Sequence, residues 1–312
     1  MPPEILLVGP LYPPTQARLE ELFTVHRLWE AREPEAFLRE VGGRVRAIAV
    51  FTLHDCPSPL IAALPKLEII ACFGIGVDRI DLEAAKARGV RVTNTPDVVT
   101  EDTADMGLAL ILALARRIVE GDRFVRAGHW RQGQLPFGRR LAGSRLGILG
   151  LGRIGRAAAR KAEAFMMEIG YSGPRPKPDE PYRYFADAVS LALWCDILFV
   201  SCPGGEATRH LVGRAVLDAL GPEGILVNIA RGSIIDEKAL VEALLEGALG
   251  GAGLDVFENE PEVPEALFQM QNVVLMPHAG TATHGTRAAI GELLIANLLA
   301  HFAGRPLLTP VF

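Results

Sequence analysis

Three polar residues in the C-terminal half have the types and spacing for proton-coupled chemistry on a small anion. They are Arg231 in Asn228-Ile-Ala-Arg-Gly232, Glu260 in Leu254-Asp-Val-Phe-Glu-Asn-Glu-Pro261, and His278 in Met276-Pro-His-Ala-Gly280. Arginine can hold a carboxylate in a two-pronged grip and polarise a neighbouring ketone. Histidine can protonate the ketone oxygen as a hydride reaches the carbon. Glutamate can hold the imidazole and favour its charged form. Together they suit reduction of a 2-keto acid.

A source of hydride is legible upstream. Gly147-Ile-Leu-Gly-Leu-Gly-Arg-Ile-Gly155 carries the G-x-G-x-x-G spacing of a dinucleotide-binding turn. The pattern is weak alone, but here it has its context: an apolar strand over Leu146 to Leu149 and a helix over Arg153 to Phe165. Gly150 permits the tight turn, Gly152 the approach of a pyrophosphate, and Gly155 close helix–strand packing. The helix start at Arg153 and Ile154 offers amide donors and a positive dipole end, with Leu151 in the turn itself.

The elements that must position these groups are short buried strands. Gly224 to Ile229, Gly251 to Val256 and Val273 to Met276 are apolar runs ending just before Arg231, Glu260 and His278. In an open α/β sheet ligands bind beyond the carboxyl ends of the strands, so one rim would receive all three side chains. Ile5 to Val8, Ala47 to Phe51 and Leu67 to Cys72 are expected strands of a first unit. A short helix over Asp81 to Arg88 ends at Gly89. Alternation of strands and helices indicates α/β architecture with mostly parallel sheets. A long helix from about Glu101 to Glu120 is expected to bridge two halves, and a helix from about His284 to Phe302 to carry the chain back. Boundaries fall near residues 98 and 284.

With these residues in view, the chain resembles the D-isomer-specific 2-hydroxyacid dehydrogenases, most nearly the glyoxylate/hydroxypyruvate reductases. The matching segments are Phe73-Gly-Ile-Gly-Val-Asp-Arg-Ile-Asp81, Val92-Thr-Asn-Thr-Pro-Asp97, Gly147 to Gly155, Val227 to Gly232, Gly250 to Pro261 and Pro277 to Arg287. The resemblance implies two Rossmann-like doubly wound domains. One is a flavodoxin-like substrate domain from residues 1–98 and 284–312; the other is a dinucleotide-binding domain over 99–283. It implies Arg231, Glu260 and His278 as the catalytic set, with His278 the proton donor. Glu258 and Glu262 flank Glu260, and the family's glutamate directly before Pro261 selects Glu260. It further implies Asp255 near the nicotinamide, and backbone amides of Gly74, Ile75, Gly76 and Val77 around the substrate carboxylate, with Phe51 beside them. Cys202, Ile229, Ala230 and Gly280 complete the expected cofactor contacts. Family reductases are dimers joined around residues 100 to 140, so Trp130 could reach the partner's site. The default for that tryptophan is burial in the core.

The cofactor's ribose is read from the second strand of the dinucleotide unit. NAD-binding units place a carboxylate about 20 residues after the first glycine. Here Glu168-Ile-Gly-Tyr171 is followed by Ser172-Gly-Pro-Arg-Pro-Lys177, without an acid; Asp179 and Glu180 come too late. Ser172 and Arg175 suit a 2′-phosphate, so NADP is the expected cofactor and NAD a possible one. The chain departs from the family at Cys202-Pro-Gly-Gly-Glu206 and at Met166-Met167, expected to affect adenine contacts rather than the chemistry. Among other histidines, His26 and His301 are expected at the surface, and His54 as a loop residue beside the substrate cleft. His210 is expected to be structural or near the adenine.

Composition bounds the rest. At 312 residues and 49% hydrophobic the chain can bury a substantial core, and the net charge of −5 argues against nucleic acid or an anionic membrane as partner. No apolar stretch reaches transmembrane length, and Met1-Pro-Pro-Glu-Ile reads as the approach to a first strand rather than a signal peptide. The four cysteines, Cys56, Cys72, Cys195 and Cys202, have no metal-binding spacing and fit reduced thiols of a cytoplasmic protein. Two alternatives stand beside the reductase reading. One is an NAD-dependent dehydrogenase for a bulkier 2-keto acid. The other is a nucleotide-sensing corepressor on the same fold, against which the lack of interaction tails argues.

Overall fold

The computed structural model describes residues 2–312. Two compact units emerge, Met1–Val99 with Ala282–Phe312, and Thr100–Thr281.

The first unit holds a five-stranded sheet of β1 (Glu4–Leu7), β2 (Thr24–Arg27), β3 (Val45–Phe51), β4 (Ile69–Phe73) and β5 (Arg91–Thr93). Their order is β2-β1-β3-β4-β5 and every pairing is parallel. This is the flavodoxin-like order, whose switch point lies between β1 and β3. Apolar residues alternate between the two faces. Leu6, Ile48, Val50, Ile70 and Cys72 enter one core. Ile5, Leu7, Ala47, Ala49, Ile69, Ala71 and Phe73 enter the other, capped by Ile290, Leu294 and Leu298 of the helix His284–Phe302. Double coverage explains why these strands read as continuous apolar runs. The edge strands β2 and β5, too short and too polar for that signal, escape the sequence reading.

The second unit holds seven strands: β6 (Arg145–Leu149), β7 (Glu168–Ser172), β8 (Arg183–Phe185), β9 (Ile197–Val200), β10 (Ile225–Asn228), β11 (Gly251–Leu254) and β12 (Val273–Leu275). They pair in parallel in the order β12-β11-β10-β9-β6-β7-β8. Read from β8, this is the dinucleotide-binding order with one added strand, reversing between β6 and β9. Ile148, Phe199 and Val227 pack on one face with Ala104, Leu108 and Ile111 of the helix Thr100–Ala115. Leu198, Val200 and Leu226 pack on the other.

Three expectations need correction. The long helix over residues 101–120 is two helices, Thr100–Ala115 and Ile118–Arg126, separated at Arg117, whose φ is 52°. The cause is tertiary: the amide of Arg139 donates to the Ala115 carbonyl at 2.6 Å, taking the acceptor a continuing helix would use. Trp130 is not buried within the chain but 70% exposed. His26 and His301 are not free surface residues. Each ring is half-buried against a glutamate, Glu4 at 2.7 Å and Glu68 at 2.9 Å.

Candidate active site

The second unit brings Glu260 and His278 into contact. Asn228 ends β10, and its side chain turns the chain there: Oδ1 accepts from the Ala230 amide at 3.0 Å, and Nδ2 donates to the Arg231 carbonyl at 2.9 Å. That turn delivers Arg231, whose Nη1 donates to the Ala230 carbonyl at 2.7 Å. Gly232 follows by necessity, since a Cβ there would meet the Phe257 carbonyl carbon at 1.8 Å.

His278 lies just past β12 with φ 52°, a conformation few side-chain-bearing residues adopt. Three contacts enforce it. The His278 amide donates to the Asp255 carbonyl at 2.8 Å, and the Asp255 carboxylate accepts from the amides of Ala279 at 2.7 Å and Gly280 at 2.8 Å. Burial pushes the Asp255 carboxyl upward, opposed by the Ala279 and Gly280 bonds and the nearby His278. Its anchoring role was invisible in sequence; the only signal was a carboxylate directly after a buried strand.

Glu260 is held at both oxygens. Oε1 accepts from the Phe257 amide at 3.0 Å, and Oε2 meets His278 Nδ1 at 2.8 Å. Burial raises its pKa, yet the His278 bond, the His278 charge, the Phe257 amide and the field of Arg231 outweigh it, and the net shift is downward. With Nδ1 engaged, Nε2 has no partner among the described residues. The neighbouring Glu258 is spent elsewhere, on Arg209 and His210, each at 2.8 Å.

The loop Cys202 to Glu206 also packs against Arg231. A Cβ at Gly204 would stand 2.7 Å from Arg231 Cγ, so the glycine lets the arginine stem lie against the loop. Arg209 and His210 then tie its far end to Glu258.

The residues of the glycine turn fit a dinucleotide. Gly150 has φ 100°, and a Cβ on it would collide with the Cys202 backbone nitrogen at 2.5 Å. A Cβ on Gly155 would strike the Gly150 carbonyl oxygen at 2.5 Å. Gly152, by contrast, faces open space, and the helix Arg153–Ala164 begins beside it. The side chains of Leu151, Ile229 and Cys202 are buried. The Gly280 amide is occupied by Asp255. Ser172 ends β7 largely buried, whereas Arg175 is exposed in the following loop. Tyr171 and Tyr184 brace that loop through the Lys177 amide at 2.7 Å and the Gly173 carbonyl at 3.1 Å. Glu180 is committed to Arg156 of the glycine-turn helix.

In the first unit, Gly74 to Val77 form an amide-rich loop at the carboxyl end of β4. Three carbonyls are drawn inward: Gly74 by the Thr95 amide at 2.9 Å, Ile75 by Asn94 Nδ2 at 2.8 Å, and Gly76 by Cys72 Sγ at 3.3 Å. The amides of Ile75, Gly76 and Val77 find no partner among the described residues, and successive free amides of this kind form an anion-binding concavity. In the sequence Asn94 and Thr95 stand out only as members of the segment Val92 to Asp97. His54 follows Phe51 with Nδ1 buried and unpartnered, and burial lowers its pKa. All four cysteines are free and buried, and burial pushes Cys56 and Cys195 up to about 12 and Cys202 up to about 11. Among the described residues no cluster could hold a metal ion, and no helix is long and apolar enough to cross a membrane.

Comparison with known proteins identifies the family. The family profile described as D-isomer specific 2-hydroxyacid dehydrogenase, NAD binding domain, matches residues 108–280. Glyoxylate/hydroxypyruvate reductase A of Arabidopsis thaliana is 48% identical over 307 residues, covering 98% of both chains. Hydroxyphenylpyruvate reductase of Plectranthus scutellarioides is also 48% identical, with the same coverage. Among solved structures, the NADPH-dependent glyoxylate/hydroxypyruvate reductase of Sinorhizobium meliloti, in complex with NADP and malonate, superposes with a TM-score of 0.95. It is 43% identical, covering 100% of this chain and 97% of that one. The chain belongs to the D-isomer specific 2-hydroxyacid dehydrogenase family.

Proposed function

We propose that the protein reduces glyoxylate and hydroxypyruvate to glycolate and D-glycerate, using NADPH in preference to NADH. The observation that carries this is the Glu260–His278 pair, 2.8 Å apart, beyond the carboxyl ends of the strands that also deliver Arg231. Bound nicotinamide cofactor supplies a hydride to the ketone carbon. Arg231 holds the substrate carboxylate and polarises the ketone. His278 Nε2 gives its proton to the ketone oxygen, so the carbon gains hydride, the oxygen gains a proton, and a secondary alcohol results. Glu260 holds Nδ1 and so orients the ring with Nε2 toward the substrate.

The first unit is assigned the substrate, through the amides of Ile75, Gly76 and Val77, and the second the cofactor, through Gly150 to Gly155. The absence of a carboxylate at the end of β7, the exposure of Arg175 and the commitment of Glu180 to Arg156 support NADPH. The relatives whose names specify glyoxylate and hydroxypyruvate support the substrate class. A homodimer joined around residues 100 to 140 is supported by exposed apolar side chains there, with Trp130 at 70% and Phe137 at 95%. A cytoplasmic location and no nucleic-acid partner complete the reading. A panel of 2-keto acids assayed with NADPH and NADH tests it. Turnover of glyoxylate and hydroxypyruvate is expected; no oxidation of either cofactor with any small 2-keto acid overturns it.

A further inference from the structure

A cavity of about 190 Å³ lies wholly within the first unit, lined by Pro10, Leu11, Tyr12, Phe51, Phe73 and Arg287. Pro10 to Tyr12 follow β1, Phe51 ends β3 and Phe73 ends β4. The cavity therefore opens beyond the carboxyl ends of the strands, at the switch point of a sheet ordered β2-β1-β3-β4-β5, where such sheets bind ligands. A void of roughly 150 Å³ holds a benzene molecule, so this one admits a side group up to about an aromatic ring.

Its one charge is unusual. Arg287, in the first turn of the helix His284–Phe302, lays its guanidinium 4.9 Å from the centroid of Phe51 and 5.9 Å from that of Phe73. No carboxylate pairs with it, and no hydrogen-bond acceptor meets it among the described residues. Burial lowers its pKa. Stacking on aromatic rings orients the cation, but its fork of N–H donors remains unsatisfied. Partial desolvation without a partner is costly, and a ligand oxygen in the cavity would relieve it. Tyr12 adds a hydroxyl, itself 3.1 Å from His284 Nδ1. Phe73 leads directly into the amide loop Gly74 to Val77. The amide loop therefore begins one residue beyond a wall of the cavity.

We propose that the cavity seats the C3 substituent of the 2-keto acid, and that Arg287 is a specificity-determining residue favouring substituents that carry oxygen over alkyl ones. Hydroxymethyl, hydroxyaryl and carboxylate groups are of the favoured class. The proposal rests on the reductase reading above. The test compares kcat/KM with NADPH for hydroxypyruvate, pyruvate and glyoxylate, the last having no C3 substituent. Wild-type protein should prefer hydroxypyruvate to pyruvate by roughly ten- to a hundredfold, the worth of one charge-assisted hydrogen bond. Arg287→Met should bring that ratio to within about threefold of unity, and Arg287→Lys, keeping the charge but not the fork, to a value between. A wild-type ratio near one overturns the proposal. So does an Arg287→Met enzyme that loses the same factor on all three acids. If Arg287→Met does not fold, the wild-type ratio decides alone. Wild-type protein that reduces none of the acids overturns the reductase reading instead, before any variant is made.

Discussion

Glu260 and His278 form a pair that is fixed from both sides. Glu260 Oε2 stands 2.8 Å from His278 Nδ1, while its Oε1 is tied to the Phe257 amide at 3.0 Å. The carboxylate cannot rotate away from the ring without giving up a backbone bond, and Nε2 is the ring nitrogen that this pair leaves unengaged.

Replacing His278 by alanine is expected to lower kcat by about 10² to 10⁴, the usual contribution of a positioned general acid. Steady-state reduction of hydroxypyruvate with saturating NADPH measures it. A loss below threefold would remove His278 as proton donor.

Glu260→Gln is expected to reshape the pH profile. The pKa of Glu260 is depressed on balance, because the His278 bond and charge, the Phe257 amide and Arg231 outweigh burial. The carboxylate therefore stays charged in the folded protein as pH falls through the ordinary carboxylate range, and the stability it contributes is present above that range and lost as pH falls from it to the lower folded-state pKa. Glutamine can still accept from the Phe257 amide but carries no charge beside His278 Nδ1, so the pH profile of keto-acid reduction should differ from that of the wild type. An active Glu260→Gln enzyme with an unchanged profile would count against the pairing.

Asp255→Asn exchanges an acceptor for a donor opposite two backbone amides. One of the Ala279 and Gly280 N–H groups loses its partner inside the protein, at a cost of about 1–3 kcal/mol. Thermal unfolding should show a lowered Tm, and kcat should fall because the loop carrying His278 loses its anchor. Wild-type Tm in a folded variant would contradict this account of the loop.

Arg175→Ala should raise KM for NADPH by roughly ten- to a hundredfold while leaving KM for NADH nearly unchanged. Equal effects on both cofactors would mean that Arg175 contacts the pyrophosphate or only shapes its loop.

The homodimer prediction is checked by sedimentation. Trp130→Arg should weaken association, because a 70% exposed tryptophan is ill suited to water but well suited to an interface. A fully active wild-type monomer would refute it.

The sequence by itself determined the doubly wound class, because strands buried on both faces must be apolar throughout, as Ile69–Phe73 is. It also determined where Arg231, Glu260 and His278 fall, since each follows a short apolar run, and the glycine turn, since its G-x-G-x-x-G spacing lies between an apolar strand and a helix. Tertiary structure decided the rest. The break after Ala115 depends on an amide from Arg139, far enough along the chain that helical periodicity carries no trace of it. The polar edge strands β2 and β5 exist because neighbours pair with them. The Asp255 clasp on Ala279 and Gly280, the inward pull of Asn94 on Ile75, and the lone Arg287 over Phe51 each join residues distant in sequence. Such contacts follow from packing and hydrogen-bond satisfaction in the folded chain, and local pattern cannot encode them.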